Sequence, residues 1–314
     1  MRMRFVVNPR SGRRRRTAAI LAVVRDFISA RGLDADCVET EGPGHATEIA
    51  REAAMAGCPR IVAVGGDGTV NEVAQALIHT PSAMGLVPCG SGNGLALHLG
   101  MPTEPAGALE LATGDAGRVA ELDTGTANGL PFVNVMGFGL DADVSRRFNR
   151  LVRRGLPAYT RSALAAFLNC PILTCRITVG ARQETLDALL VSVANSDQYG
   201  NHAKIAPHAR VDDGVFDLVA VGPTGLFGAA VLGARLFLGT IDQAAGVHRF
   251  RGARFLIERP AAGLIHTDGE THATGARVEV IARRRSLRLV VPADCAAIAP
   301  AEGRAEPAFA LQLP

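Results

Sequence analysis

The sequence predicts an α/β plus β protein: an amino-terminal Rossmann-like parallel α/β domain followed by an antiparallel β-sandwich domain. Three observations carry that prediction. Near-continuous apolar runs at residues 4–8, 60–64 and 84–87 alternate with amphipathic helical segments over the first 125 residues. Such runs fit strands buried on both faces of a parallel sheet. Each run is followed directly by a glycine-containing loop (8–12, 65–69, 88–94). From about Thr126 the rhythm changes to short strand-like segments separated by turn residues, the pattern of an antiparallel sandwich.

Taken in order, Arg4–Asn8 reads as the first strand. Thr17–Ala30 reads as a helix, with Ile20, Leu21, Val24, Phe27 and Ile28 on one stripe. Asp36–Thr40 is a candidate second strand. His45–Ala56 is a helix ended by Gly57, Arg60–Val64 a buried strand, Val70–Ile78 a helix and Met84–Val87 another buried strand. The second half offers candidate strands at Phe132–Met136, Cys175–Val179, Ala188–Ala194, Val215–Val221, Arg254–Glu258, Leu264–Thr267, Ala276–Ile281 and Leu287–Val291. Its helical stretches are Ser145–Leu168 and Gly225–Leu238. The expected organisation is therefore residues 1–125, residues 126–295 and an extended Pro-rich tail, 296–314.

Composition narrows the chemistry. Among 314 residues, 48% are hydrophobic and 20% charged, which are globular proportions. No apolar run approaches the ~20 residues needed to cross a bilayer, so a soluble, cytoplasmic protein is expected. Of 33 basic residues only Lys204 is a lysine. A P-loop needs Gly-Lys-Ser/Thr and a protein kinase needs a strand lysine, and neither can be assembled from this chain. The six cysteines form no C-x-x-C pair and read as small buried hydrophobes in a reducing compartment. A net charge of +3 is too small to point to nucleic acid. Local clusters stand out more: Arg13–Arg16, and Arg146, Arg147, Arg150, Arg153 and Arg154 interleaved with Phe148, Leu151 and Leu156. The second tract could lie on an anionic membrane surface or be a solvated face.

The strongest motif is Gly65-Gly66-Asp67-Gly68-Thr69-Val70-Asn71-Glu72, placed between a strand and a helix. Glycines let backbone approach a ligand closely, and a helix start offers free N–H groups to a phosphate. An acid among them makes sense beside Mg²⁺ or a hydroxyl proton. Asn8-Pro9-Arg10-Ser11-Gly12 and Pro88-Cys89-Gly90-Ser91-Gly92-Asn93-Gly94 follow the other two strands. In a parallel sheet all three loops emerge at the carboxyl edge, where ligands bind. In the second half, Asp268-Gly269-Glu270 reads on its own as a tight hairpin turn.

These motifs, in this order, resemble the diacylglycerol kinase catalytic-domain family, which includes bacterial lipid kinases and sphingosine and ceramide kinases. The likeness extends through Thr40–Ala46, Asn134–Gly139, Ala206-Pro207, Val211–Gly214 and Asp268–Glu270. It implies the two-domain fold of that family, akin to NAD kinases, and ATP-dependent phosphorylation of a lipid hydroxyl, of diacylglycerol or sphingoid type. On the matching positions, Asn8, Pro9, Arg10, Ser11, Gly12, Thr40, Gly65, Gly66, Asp67, Gly68, Thr69, Val70, Asn71, Gly90, Ser91 and Asn93 would contact ATP. Asp67, Asp268 and Glu270 would serve catalysis, with Glu270 as proton acceptor. A structural Mg²⁺ would be held by Asp213 with the carbonyls of Arg210 and Val215. The expected partner is a lipid, with peripheral contact to the inner membrane face and a homodimer both open. Ser145 stands where sphingosine kinases carry an acid facing the lipid head. The alternatives are an NAD kinase-like enzyme and a non-catalytic relative.

Overall fold

The computed structural model describes residues 1–11, 14–114, 116–149 and 164–298. The amino-terminal unit runs β1 (Met3–Val7), α1 (Arg14–Ala30), β2 (Ala35–Glu39), α2 (His45–Met55), β3 (Arg60–Gly65), α3 (Asp67–Leu77), β4 (Ala83–Pro88), α4 (Gly94–His98) and α5 (Pro105–Thr113). Its strands lie parallel in the order β2-β1-β3-β4. Both faces are covered, which explains the unbroken apolar runs. In β3, Ile61 and Ala63 pack with Ala50 of α2 and Val73 of α3, while Val62 and Val64 pack with Val24 of α1 and Leu109 of α5. Each of the valine, isoleucine and leucine side chains, once fully buried, contributes about 1.5–3 kcal/mol.

The carboxy-terminal unit comprises β5 (Gly117–Ala127), β6 (Leu130–Phe132), β7 (Val135–Gly139), α6 (Leu140–Asn149), β8 (Leu173–Val179), β9 (Arg182–Ala188), β10 (Leu190–Ala194) and β11 (Phe216–Val221). It continues with α7 (Leu226–Leu238), β12 (Val247–Gly252), β13 (Arg254–Glu258), β14 (Gly263–Thr267), β15 (Glu270–Thr274) and β16 (Arg277–Pro292). A six-stranded sheet, β12-β11-β10-β7-β14-β15, is antiparallel throughout. It packs against the β16-β13-β8-β9 part of a second sheet over Phe132, Phe138, Phe216, Phe250 and Phe255. The expected α/β plus β-sandwich fold is present.

Several boundaries differ, each for a physical reason. The segments expected as separate strands at 276–281 and 287–291 form one strand, β16, with a register shift between Arg283 and Leu287. Arg285 takes φ 48° there, and its amide donates to the buried Asp123 carboxylate at 2.7 Å. The polar run 283–286 looks like a turn but is a pinned bulge. Beyond it, β16 leaves the sandwich core (Val278, Val280) and enters the amino-terminal core (Leu287, Leu289, Val291). One strand thus joins both units, meeting β4 in parallel at Leu289 and Met84. Ile298, expected in a surface tail, is buried in the same core, as is Cys295.

The expected strand 132–136 breaks at Val133 and Asn134, and the expected strand 188–194 breaks at Leu189. Strands β9, β12 and β15 were not expected, because RQETLDA, VHRFRG and ETHAT carry little apolar signal. Of the expected helix 145–168, α6 covers 140–149 and residues 164–167 are helical, with 150–163 outside the described residues. Gly12, Arg13, Arg150, Arg153 and Arg154 also fall outside them.

Candidate functional site

The three glycine loops emerge side by side at the carboxyl ends of β1, β3 and β4, and they are bonded to one another. Asn8 donates its backbone amide to Val64 O at 2.9 Å and its side-chain amide to Thr69 Oγ1 at 2.8 Å. Its Oδ1 accepts the Arg10 amide at 2.8 Å, and Ser11 Oγ accepts the Gly66 amide at 3.1 Å. Cys89 N donates to Gly65 O at 2.7 Å, and the Asn93 side chain closes its own loop onto Gly90. Two of the glycines are needed for loop-to-loop contact: a Cβ on Gly90 would lie 2.7 Å from the Gly66 Cα. Thr40 is buried at the end of β2, its amide bonded to Val7 O.

Asp67 opens α3 and reaches across to the next loop. Its Oδ2 accepts the Asn93 amide at 2.8 Å and its Oδ1 the Gly94 amide at 2.7 Å. The carboxylate therefore caps α4 while starting α3, the charge that a helix amino terminus favours. Burial pushes its carboxyl up from the ordinary range, and the Asn93 and Gly94 amides oppose that shift.

Gly68 is different from its neighbours. Among the described residues, outside its own helix, a Cβ there would meet nothing within 4 Å, and its φ is not in the left-handed region. Packing within the protein does not call for glycine at this helical position, which costs about 1 kcal/mol relative to alanine. Close approach of a ligand to the α3 amino terminus does. Asn71, one turn further on, is 3% exposed, and neither atom of its side-chain amide has a hydrogen-bond partner among the described residues. An open helix start and an unsatisfied buried amide fit a nucleotide phosphate.

The second half contributes the β14–β15 hairpin. Asp268 and Gly269 form its two-residue turn with φ 49° and 87°, the left-handed pair of a type I′ turn. The half-buried Asp268 is held by backbone: its Oδ2 accepts the Val133 amide at 2.7 Å, and its Oδ1 accepts those of Asn134 and Val135 at 2.8 and 2.9 Å. This is why the strand expected over 132–136 is interrupted. Burial pushes the Asp268 carboxyl up to about 6 against those three donors. Glu270, the first residue of β15, is the exposed acid of the trio. Its carboxyl is raised by partial burial and then by repulsion from Glu72 on α3.

The two halves meet through named contacts. A Cβ on Gly94 would lie 2.9 Å from Asn134 Nδ2 and from Tyr199 O. Asn201 N donates to Gly92 O at 3.0 Å, and Asn93 bridges to Gly200. His98 Nδ1 of α4 lies 2.9 Å from Asp197 Oδ1, whose other oxygen is 3.0 Å from Lys204 Nζ. Burial disfavours the Asp197 charge, but His98, Lys204 and Gln198 outweigh it and bring its carboxyl down to about 2. Sequence reading did not single out His98, Asp197 or Tyr199, since no local motif marks a contact made across about a hundred residues.

The expected Mg²⁺ trio has a different partner. Asp213 Oδ1 accepts the Val215 amide at 3.1 Å, and Oδ2 pairs with the Arg251 guanidinium. Among the described residues no three His, Cys, Asp or Glu side chains converge as metal ligands. With Arg251 supplying its countercharge, the Asp213 carboxylate as placed here offers no free ligand to a cation.

Comparison with known proteins places this geometry. Residues 2–127 match the diacylglycerol kinase catalytic domain, and residues 134–291 match the YegS C-terminal NAD kinase beta sandwich-like domain. The chain is 31% identical over 254 residues to the Pseudomonas aeruginosa protein named "Probable lipid kinase YegS-like", covering 80% of this chain and 82% of that one. It is 30% identical over 232 residues to the diacylglycerol kinase of Bacillus subtilis, covering 72% and 75% respectively. A crystal structure of a diacylglycerol kinase from Bacillus anthracis superposes with a TM-score of 0.70 at 20% identity, over 92% of this chain and 96% of that one, and so shares the fold. With both halves matched and the glycine loops joined to the Asp268 turn, the chain belongs to the diacylglycerol kinase and YegS-like lipid kinase family.

Proposed function

We propose that this protein transfers the γ-phosphoryl group of ATP to the hydroxyl of a lipid of diacylglycerol or sphingoid type. The observation that carries the reading is the shared cleft. The open α3 amino terminus at Gly68 and the exposed Glu270 carboxylate belong to different halves, and these halves are joined beside them where Gly94 packs on Asn134 and Asn134 donates its amide to Asp268.

In this reading the loops of β1, β3 and β4 hold the triphosphate, presented as its Mg²⁺ complex, with backbone N–H groups at the α3 start. Glu270 accepts the proton of the lipid hydroxyl as its oxygen attacks the γ-phosphorus. The bond from that phosphorus to the β–γ bridging oxygen breaks, and ADP leaves. The raised Glu270 carboxyl suits a general base better than an ordinary glutamate would. Asp67 and Asp268 have their carboxylates committed to backbone amides, so they act as positioning residues: Asp67 fixes the phosphate loops, and Asp268 fixes the turn that presents Glu270.

No helix among the described residues is long and apolar enough to cross a membrane. The test is incubation of the purified protein with labelled ATP, Mg²⁺ and a panel of diacylglycerol, sphingoid base, ceramide and NAD. Label in a lipid product is expected. Label in NADP, or ATP binding without transfer, would reject the proposal.

A further inference from the structure

Three neighbouring strands of the six-stranded sheet present one residue each at the same level. Ser192 of β10 pairs with Gly137 of β7, and Gly137 pairs with His266 of β14. The glycine leaves room between two polar side chains, and Asp141, in the first turn of α6, occupies it. A Cβ on Gly137 would collide with the Asp141 carboxylate and with His266 Nε2, so this strand position needs glycine for close approach. Asp141 Oδ2 accepts the Ser192 hydroxyl at 2.5 Å and the Tyr199 hydroxyl at 2.7 Å, and His266 Nε2 lies 3.2 Å from the same oxygen. Asp141 is 6% exposed and His266 2%, so neither is placed to touch a substrate.

The other nitrogen of the ring faces the turn that carries Glu270. The last ladder pair of the β14–β15 hairpin is Thr267 with Glu270, and the Gly269 amide lies beyond it. His266 Nδ1 accepts that amide at 3.3 Å. An accepting ring nitrogen carries no proton, so the proton of the neutral imidazole sits on Nε2, on the side of Asp141. Nε2 has no hydrogen bond elsewhere among the described residues. The turn is therefore held from two sides: by the Asp268 carboxylate on the amides of Val133, Asn134 and Val135, and by His266 on the amide of Gly269.

We infer that His266 is a positioning residue for phosphoryl transfer: seated by Asp141, it fixes the Gly269 peptide and with it the direction in which Glu270 leaves the turn. The inference rests on the reading of Glu270 as the proton acceptor, and deepens it. A buried acid and histidine that served stability alone would tie activity to stability. Here the two roles use different nitrogens, Nε2 for the core and Nδ1 for the turn, and so they can be separated.

Two variants separate them. Glutamine places its amide nitrogen near the position of Nε2 and keeps a donor for Asp141, but has no acceptor at Nδ1. Asparagine places its carbonyl oxygen near Nδ1 and keeps an acceptor for Gly269, but does not reach Asp141. His266→Gln should melt near wild type and lose about tenfold in kcat with the KM for ATP unchanged. His266→Asn should melt lower and keep kcat within about threefold. Amide hydrogen exchange at Gly269, measured on the full-length protein without substrate, should rise about tenfold or more in His266→Gln and little in His266→Asn. Wild-type kcat or wild-type Gly269 exchange in His266→Gln would overturn the inference, as would kcat falling in step with melting temperature across both variants. If the protein transfers no phosphoryl group to any lipid, the earlier reading fails, and the exchange measurement alone decides whether His266 holds the turn. If His266→Asn does not fold, the His266→Gln result decides by itself.

Discussion

The Asp67 carboxylate accepts the Gly94 amide at 2.7 Å, and Gly94 in turn packs against Asn134, whose own amide is held by Asp268 at 2.8 Å. Two acids from opposite halves of the chain thus act through one short stretch of backbone. The glycine at 94 permits that approach, because any side chain would collide with Asn134 and Tyr199. The cleft is consequently set by backbone geometry more than by side chains reaching into it.

Asp67→Asn tests this arrangement. Asparagine keeps one acceptor and turns an NH₂ toward the second amide, so α3 and the Gly90–Gly94 loop lose their common anchor. A fall of about 10–100-fold in kcat/KM is expected, corresponding to roughly 1.5–3 kcal/mol for a charged hydrogen bond. Far-ultraviolet circular dichroism should stay unchanged. Wild-type kcat/KM in a folded variant would remove Asp67 from the site.

Gly68→Ala separates packing from binding. Beyond its chain neighbours and its own helix backbone, no atom of the described residues lies within 4 Å of the added methyl, and alanine is the better helix former, so the ligand-free protein should gain up to about 1 kcal/mol and melt higher. The same methyl stands where the triphosphate is proposed to approach, so the KM for ATP should rise severalfold. Gly90→Ala should instead destabilise by about 1–3 kcal/mol, because its Cβ would meet the Gly66 Cα at 2.7 Å. Thermal melts and ATP titrations on both variants check the contrast.

Glu270 should control the acid limb of the pH–rate profile. Its carboxyl is raised by burial and by Glu72, and the base must be ionised to accept a proton, so activity falls as pH drops through the raised value. Glu72→Gln removes the like charge and should move that limb to lower pH. Glu270→Gln should lose most turnover and the limb with it. An acid limb unmoved by Glu72→Gln would show that the two carboxylates are not coupled.

Asp197 should make folding stability acid-sensitive. Its carboxyl is at about 2 in the folded protein against an ordinary 3.8, so the native state binds fewer protons than the unfolded chain between these values. Its stabilisation is full above pH 4 and is lost as pH falls toward 2, amounting to about 2 kcal/mol. Asp197→Asn should cost about that much in urea unfolding at pH 7, with little difference from wild type at pH 2. An equal deficit at both pH values would point to lost packing instead.

The amino-terminal half was legible because its information is local. A strand buried on both faces has to be apolar throughout, and a phosphate loop has to carry glycines next to a helix start. Residues 60–72 show both in one stretch, and Asp268-Gly269 declares its turn in the same way. Strands β9, β12 and β15 were illegible because one face is solvated and their pairing partners supply what the sequence lacks.

By itself, then, the chain's sequence determined the alternating α/β half, the sandwich that follows, the three glycine loops and the family. Only the tertiary structure decided that β16 belongs to both cores, that Asp67 and Asp268 spend their charges on backbone amides, that Asp213 is neutralised by Arg251, and that the buried Arg259 donates to backbone carbonyls. The reason is separation along the chain. Periodicity and turn chemistry act over a few residues, whereas the partner of a buried charge is chosen by packing, and here such partners come from as far as 162 residues away, as with Asp123 and Arg285.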